Sequence, residues 1–378
     1  MANRKYKKNK RGEYEARIWD GTYNPDGSKH RKKLTSRKSS ADLERQVEEL
    51  RRSVKEQGAV VFSGISVGEY ALQWLEVAKS AKADKTQDMY RAVVTRNLAS
   101  IAGVRVSDLR HSHFQQVINL YLDHPRTCQQ ISLTFKQIVR AAVRDRLLPR
   151  TASGDILDGI SLPTYVRKPR RPLTAIEKEA IMNAELDPRK KAFLLTLYYT
   201  GIRKSEALAL TRFDFDWKTM TVSITKALVF TRSGSVLKDP KSKNGIRKVP
   251  IPAAMAEKVR AFVDASDGGF LWRTRDGSKM TETGYVRMWE SIVMSLNIAA
   301  GYKPFARKDK GIKQITDLTA HILRHNWCTE MCYQIPKVTT KMIARMFGDD
   351  EKMVLEIYSH IVEEKESPAT AVNDAFAV

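Results

Sequence analysis

The segment from Pro149 to Pro172 decides how the rest of the chain can be arranged. Pro149, Pro163, Pro169 and Pro172 fall within it, and Arg167-Lys168-Pro169-Arg170-Arg171 ends it with a run of positive charge. Proline fixes φ and removes a backbone donor, and like charges repel, so such a stretch stays extended rather than packing as an element interior. Residues 151–172 are therefore predicted to be a linker between separately folded bodies. The 378 residues leave room for two or three domains.

Charge narrows the choice of partner. Lys and Arg number 66 against 43 Asp and Glu, a net charge of +23. An excess of this size favours polyanions, nucleic acid before anionic membrane. A membrane reading needs an apolar run of roughly 20 residues, an amphipathic basic helix or a lipidation site, and the sequence has none of them. The basic N-terminus is not followed by the apolar run of a signal peptide. Three cysteines, Cys128, Cys328 and Cys332, are too few and of the wrong number for a disulfide framework, and no His or Cys pair completes a zinc pattern. They are predicted to be core residues of a protein in a reducing, cytoplasmic compartment, with no metal site and no membrane association.

Residues 1–58 form a compositional block, with 13 Lys or Arg and four Asp or Glu in the first 40 positions. Tyr14 to Trp19 alternates like a strand. Asp20-Gly21 and Asp26-Gly27 are turn signals, and Lys29 to Thr35 reads as a further strand. Ser39-Ser40 caps a helix to about Lys55, with Leu43, Val47, Leu50 and Val54 on one stripe. A small sheet plus one helix carrying this much charge fits a DNA-reading module better than a solvated basic tail. Residues 65–150 read as all helical, opening with the capping box Ser66-Val67-Gly68-Glu69; helical patterns follow over 86–100, 112–122 and 127–146. Lys5, Lys7, Lys8, Arg17, Lys32, Lys33, Lys136 and Arg140 are the candidate DNA contacts of these two blocks.

Residues 173–378 mix helices with short strands. Thr174, with Glu177 three positions on, caps one helix, and a second is predicted over Lys190–Tyr199. Met220–Ile224, Ala227–Phe230 and Arg247–Ile251 read as strands, and helices are predicted near 253–264, 281–298, 317–333 and 338–347. The predicted fold class is α+β and multidomain: a small β-sheet-plus-helix domain, an all-α domain, and a mainly α domain with a small antiparallel sheet. The nearest thing to a phosphate loop, Thr200-Gly201-Ile202-Arg203-Lys204-Ser205, lacks the spacing for nucleotide hydrolysis.

Several residues in this half suit phosphoryl transfer, which needs a nucleophile, fixed cations and an acid for the leaving oxygen. Arg203 follows a Thr-Gly turn and is predicted to open a helix, Lys204 to Leu210, where backbone N–H groups add to the guanidinium. His321 and Arg324 lie one helical turn apart. Lys241, in Pro240-Lys241-Ser242-Lys243, is predicted at a hairpin tip. Tyr358 ends the apolar-leaning Leu355-Glu356-Ile357. Each alone is commonplace; surface arginines and His-x-x-Arg pairs occur by chance.

Together, in this order and spacing, these segments resemble the tyrosine recombinase (phage integrase) family. Thr200 to Leu210 is similar to its first arginine box, and Pro240–Lys243 with Arg247-Lys248-Val249-Pro250-Ile251-Pro252 to its lysine hairpin. His321-Ile322-Leu323-Arg324-His325 is similar to its second box, and Leu355 to His360 to its nucleophile segment. The resemblance is strong over about 173–365 and looser before it, where 1–58 resembles an arm-binding domain and 65–150 a core-binding clamp. One position departs from the pattern: nine residues before the tyrosine the family usually has His or Trp, and here Gly348 is followed by Asp349.

The resemblance implies a site-specific DNA recombinase, an integrase of a phage or other mobile element. Arg203, Arg324 and His321 would hold the scissile phosphate, Tyr358 would form a 3′-phosphotyrosyl link, and Lys241, or Lys243 beside it, would protonate the 5′ oxygen. Glu206 would buttress Arg203, and Asp349 would orient an arginine or lower activity. Neither cofactor nor metal is implied. The implied partners are double-stranded DNA at core and arm sites, three further protomers in a tetramer, and accessory DNA-bending or directionality proteins. The tail, residues 361–378, would dock on a neighbour. The alternatives are a topoisomerase of the same chemistry and a non-catalytic DNA-binding protein.

Overall fold

The structure is a computed structural model describing residues 5–24, 26–61, 63–166, 171–239, 245–305 and 311–365, with side chains as far as residue 359. The chain divides into two compact units, Met1–Arg167 and Lys168–Val378.

The first unit opens with β1 (Tyr14–Tyr23) and β2 (Lys29–Ser36), paired antiparallel, and α1 (Ser40–Gln57). A two-residue strand, β3 (Val60–Val61), adds in parallel to β1, so the sheet order is β2-β1-β3. Alternation along β1 turns Tyr14 and Ala16 inward onto Leu43 and Val47 of α1, and these four form the small core. The Ser39 hydroxyl accepts from the Asp42 N–H and starts α1. Asp26-Gly27 sits at the β1–β2 connection. Asp20-Gly21 does not turn the chain as expected; it lies inside β1, where the register slips between Trp19 and Tyr23. Gly21 has φ +91 and a Cβ there would meet Val54 at 3.1 Å, so glycine serves a bulge against the helix rather than a turn.

The helices of this unit are α2 (Val67–Lys79), α3 (Asp84–Ala92), α4 (His111–Asn119), α5 (Pro125–Arg144) and α6 (Ala152–Leu157). The Ser66–Glu69 capping box forms as predicted. The helix expected over 86–100 changes to a π turn at Val93–Asn97, where the Thr95 hydroxyl donates back to the Arg91 carbonyl. Helix α6 corrects the linker prediction. Its Ala152, Ile156 and Leu157 are buried in the helical core, and Gln115 holds Ser161 through both its amide N–H and its carbonyl. The segment thus stays with the first unit as far as Ser161. The two blocks of this unit also touch: Val61 N–H donates to the Arg146 carbonyl at 2.7 Å and Arg150 N–H to the Gln57 carbonyl at 2.9 Å.

The second unit contains α7 (Ala175–Asn183), α8 (Pro188–Thr200), the four-residue α9 (Lys204–Ala207), β4 (Phe215–Asp216), β5 (Thr221–Ile224), β6 (Ala227–Thr231), β7 (Gly234–Lys238), β8 (Arg247–Pro250), α10 (Ala253–Asp264), α11 (Glu282–Ala299), α12 (Ala320–Cys332), α13 (Thr340–Phe347) and α14 (Glu351–Lys365). Helix α8 is apolar on nearly every side; Ala192 to Leu197 are all buried, with α10, α11 and α12 around it. One sheet runs β4-β5-β8 and a separate hairpin pairs β6 with β7. The tip of that hairpin is at Arg232-Ser233, and β7 and β8 belong to different sheets. Lys241 and Lys243 lie outside the described residues, as do Arg167 to Arg170 and the tail beyond Lys365. All three cysteines are buried and free.

Candidate active site

Helix α8 ends where it must. Gly201 takes φ +61, and a Cβ there would lie 2.6 Å from the Trp327 ring of α12. Only glycine allows that approach. The indole N–H in turn donates to the Tyr199 carbonyl at 2.9 Å, fixing the end of α8 to α12. Arg203 follows at the start of α9, which stops at Ala207 rather than running to Leu210 as predicted.

Glu206 organises this corner. Its carboxylate accepts from the Arg203 backbone N–H at 2.8 Å and from Arg203 Nη1 at 3.1 Å. It also takes a two-pronged bond from Arg247 of β8, at 3.1 and 2.7 Å. Both partners are buried, Glu206 at 3% and Arg247 at 7% exposure. Burial acts to raise the Glu206 pKa, but the hydrogen bonds and charge of Arg247, joined by Arg203, outweigh it and hold the carboxyl below its ordinary range. Glu206 thus braces Arg203, the role expected for it. Sequence alone does not single out Arg247. Its burial follows the strand alternation with Val249, which turns a charge inward and demands a carboxylate.

Arg324 sits in the second turn of α12 at 2% exposure. Nη1 donates to the Gly201 carbonyl at 2.8 Å, and the guanidinium stacks 3.6 Å from the Phe347 ring centre. Burial, joined by the charges of Arg203 and Arg247, pushes its pKa down to about 9; Glu206 and Asp349 oppose that shift.

The C-terminus of α13 gathers all three arginines. Arg247 donates to the Met346 carbonyl at 2.8 Å, Arg324 to Phe347 at 2.6 Å and Arg203 to Gly348 at 3.0 Å. These are the carbonyls a helix end leaves unpaired, at the negative end of its dipole. Gly348 closes the helix at φ +70, and a Cβ there would meet the Arg247 guanidinium at 2.6 Å. One oxygen of Asp349 then accepts from Arg203 at 2.7 Å and Arg324 at 3.2 Å.

Of the remaining candidates, His321 is exposed on the first turn of α12 and Tyr358 is half-buried on α14. Tyr358 packs, with Ile357, against the cluster that contains Trp327, Phe347, Cys328 and Val354. Val354 and Tyr358 are one helical turn apart, so the same stripe that seats α14 carries the tyrosine. The structure therefore gathers Arg203, Arg324 and Asp349 by direct bonds and sets Tyr358 against the layer behind Arg324.

In the first unit, Lys7, Lys8, Arg17 and Lys32 are exposed, whereas Lys5 pairs with Glu44 and Lys33 with Glu15. On α5, Arg140 is exposed and Lys136 half-buried. A cleft of about 660 Å³ at one end of the small sheet collects Arg17, Lys29, Arg31, Arg51 and Lys55 around Trp19. Arg51 and Lys55 come from α1 and could be found from sequence only as the helix's exposed stripe.

The second unit is thus mainly helical with small antiparallel sheets, and its arginines gather at the end of one helix. The sequence profile of the phage integrase family matches residues 171–365, more than half of the chain, and the protein belongs to that family. It is similar to a XerC-like tyrosine recombinase of Caldanaerobacter subterraneus subsp. tengcongensis, 22% identical over 376 residues and covering 90% of each chain. Its fold resembles the Tn1549 transposon integrase bound to transposon right end DNA, with TM-score 0.63, 18% identity, and 83% of this chain and all of that one covered. It also resembles a lambda integrase tetramer bound to a Holliday junction, with TM-score 0.53, 14% identity and 93% of each chain covered. None of the described helices is long and apolar enough to cross a membrane.

Proposed function

We propose that this chain is the site-specific recombinase of a mobile element, cutting and rejoining double-stranded DNA in the cytoplasm of a bacterial host. One observation carries the reading. Arg203 and Arg324, 121 positions apart in sequence, reach a single oxygen atom, that of Asp349, at 2.7 and 3.2 Å. Two guanidiniums that meet on one carboxylate oxygen are spaced to meet on a phosphate oxygen.

In the proposed reaction Arg203, Arg324 and His321 hold the scissile phosphate. Tyr358 Oη bonds to phosphorus as the P–O5′ bond breaks, and Lys241 gives the departing 5′ oxygen its proton. The 5′ hydroxyl of a partner strand then attacks the phosphotyrosine and restores a diester, returning the phenol. Bond count is conserved, so the chemistry needs no nucleotide hydrolysis. Strand exchange between two duplexes calls for four protomers, in keeping with the lambda integrase tetramer on a Holliday junction.

A nicked duplex carrying the element's core site tests this, because the nick releases the 5′ fragment and traps the intermediate. The expected product is an SDS-resistant protein–DNA adduct. DNA binding without adduct would leave a non-catalytic binder, and relaxation of supercoiled DNA by a lone protomer would favour the topoisomerase alternative.

The N-terminal module is proposed to read separate arm sites through its basic cleft and β2. Replacing Arg17, Arg31 and Lys32 with Ala should flatten the salt dependence of arm-site affinity, by about 0.9 in log–log slope for each phosphate no longer neutralised. Equal slopes for parent and variant would take this surface out of the DNA interface.

A further inference from the structure

Asp349 is a carboxylate where a DNA phosphate is expected to bind, and its surroundings say what it does there. Arg203 Nη2 spends its two hydrogens on the Gly348 carbonyl and on Asp349 Oδ2. Arg324 Nη2 spends its own on the Phe347 carbonyl and on the same Oδ2. The backbone partners are inside the protein: Gly201 and Phe347, which hold the rest of Arg324, are both buried. Of the three bonded partners of Arg324, Asp349 alone reaches solvent, at 30% side-chain exposure against 2% for the arginine. The carboxylate thus lies between Arg324 and the solvent from which DNA arrives.

We propose that Asp349 is a gate: its Oδ2 occupies the seat of a non-bridging phosphate oxygen and must swing away before Arg203 and Arg324 can engage DNA. The proposal rests on the reading of these arginines as phosphate ligands. Two anions cannot share the same pair of Nη2 donors, and their mutual repulsion in a partly buried site makes binding exclusive. Gly348, immediately before it, closes α13 in the left-handed conformation and so sets Asp349 beyond the helix end, where its side chain is outside the helical ladder. In the unbound protein the carboxylate offsets the charge of Arg324, whose other bonded partners are the neutral carbonyls of Gly201 and Phe347. On DNA it adds an opening step before cleavage, so an isolated protomer is held back until the scissile phosphate is pressed into place.

Full-length parent, Asp349→Asn and Asp349→His test this with inorganic phosphate and with the nicked core duplex. Phosphate, against chloride of matched ionic strength, should stabilise both variants to heat at lower concentrations than it stabilises the parent. The initial rate of adduct formation should rise in both variants; a gate open about a tenth of the time in the parent corresponds to about a tenfold gain. Stabilisation of the parent at the same phosphate concentrations as both variants would overturn the proposal. So would slower adduct formation in both variants, measured below their melting temperatures, because Asp349 would then be required in the active complex. A parent that forms no adduct at all defeats the recombinase reading instead, which keeps the two failures apart.

Discussion

Tyr358→Phe is expected to bind DNA like the parent and to yield no covalent adduct on a nicked core duplex. The substitution removes one oxygen and leaves the ring. That ring is half-buried against a layer containing Trp327, Phe347 and Val354, so phenylalanine fills the same space and α14 keeps its seat. A change in melting temperature is therefore expected to be small, as for substitutions that neither open a cavity nor strand a polar group. The chemical effect is the opposite extreme. A covalent mechanism without its nucleophile loses the intermediate altogether; removal of the nucleophile in a comparable covalent enzyme costs on the order of 10⁶ in rate. Gel-resolved adduct after SDS reads this directly, and binding by mobility shift supplies the control. An adduct that survives in the Phe variant would move the nucleophile to another residue and break the proposed link between the α14 stripe and the chemistry.

The parts of this protein that sequence disclosed are those written in local chemistry. Ser39, Ser66 and Thr174 each start a helix through a hydroxyl that accepts the N–H three residues on, and such caps need no tertiary information. Alternation in β1 likewise declared which side chains face in. The misses come from signals with two physical uses. Asp20-Gly21 reads as a turn because a positive φ suits a turn as well as a bulge. Helix α6 hid because Ala152 to Asp155 is small and polar and only Ile156 and Leu157 announce a buried face. Strand β7 is five residues of mixed character paired only to its hairpin partner. At the candidate site, motif order pointed to Arg203, Arg324 and Asp349 but not to what holds them. The row of α13 carbonyls and the burial of Arg247 exist only after chain segments far apart in sequence have met, so nothing local encodes them.

Glu206 carries the second large effect, on stability rather than on chemistry. Glu206→Gln keeps the shape of the side chain and removes its charge, leaving Arg247 buried with a neutral partner and Arg203 without its brace. Breaking one side of a buried ion pair typically costs about 3–5 kcal/mol. For a domain of roughly 200 residues each kcal/mol shifts the melting temperature about 2–4 °C, so a fall of about 6–20 °C is expected near neutral pH. The pH dependence has a definite sign. The Glu206 carboxyl is held below its ordinary range in the folded state, so the unfolded chain takes up its proton first as pH falls. Its stabilising contribution is therefore full above about pH 5 and is lost progressively below the ordinary glutamate value of about 4.3, down through the lower folded value. The gap between parent and Glu206→Gln should accordingly be constant from neutral pH to about 5 and narrow below it. A companion variant, Glu206→Leu with Arg247→Met, replaces both charges by apolar groups and should recover much of the lost stability, since apolar replacements of a buried pair are often neutral or stabilising. It should not recover adduct formation, because Arg203 still lacks the carboxylate that holds its Nη1 and backbone N–H. Recovery of both stability and cleavage would show that Glu206 serves only to neutralise Arg247, and Arg203 would then owe its place to α13 alone.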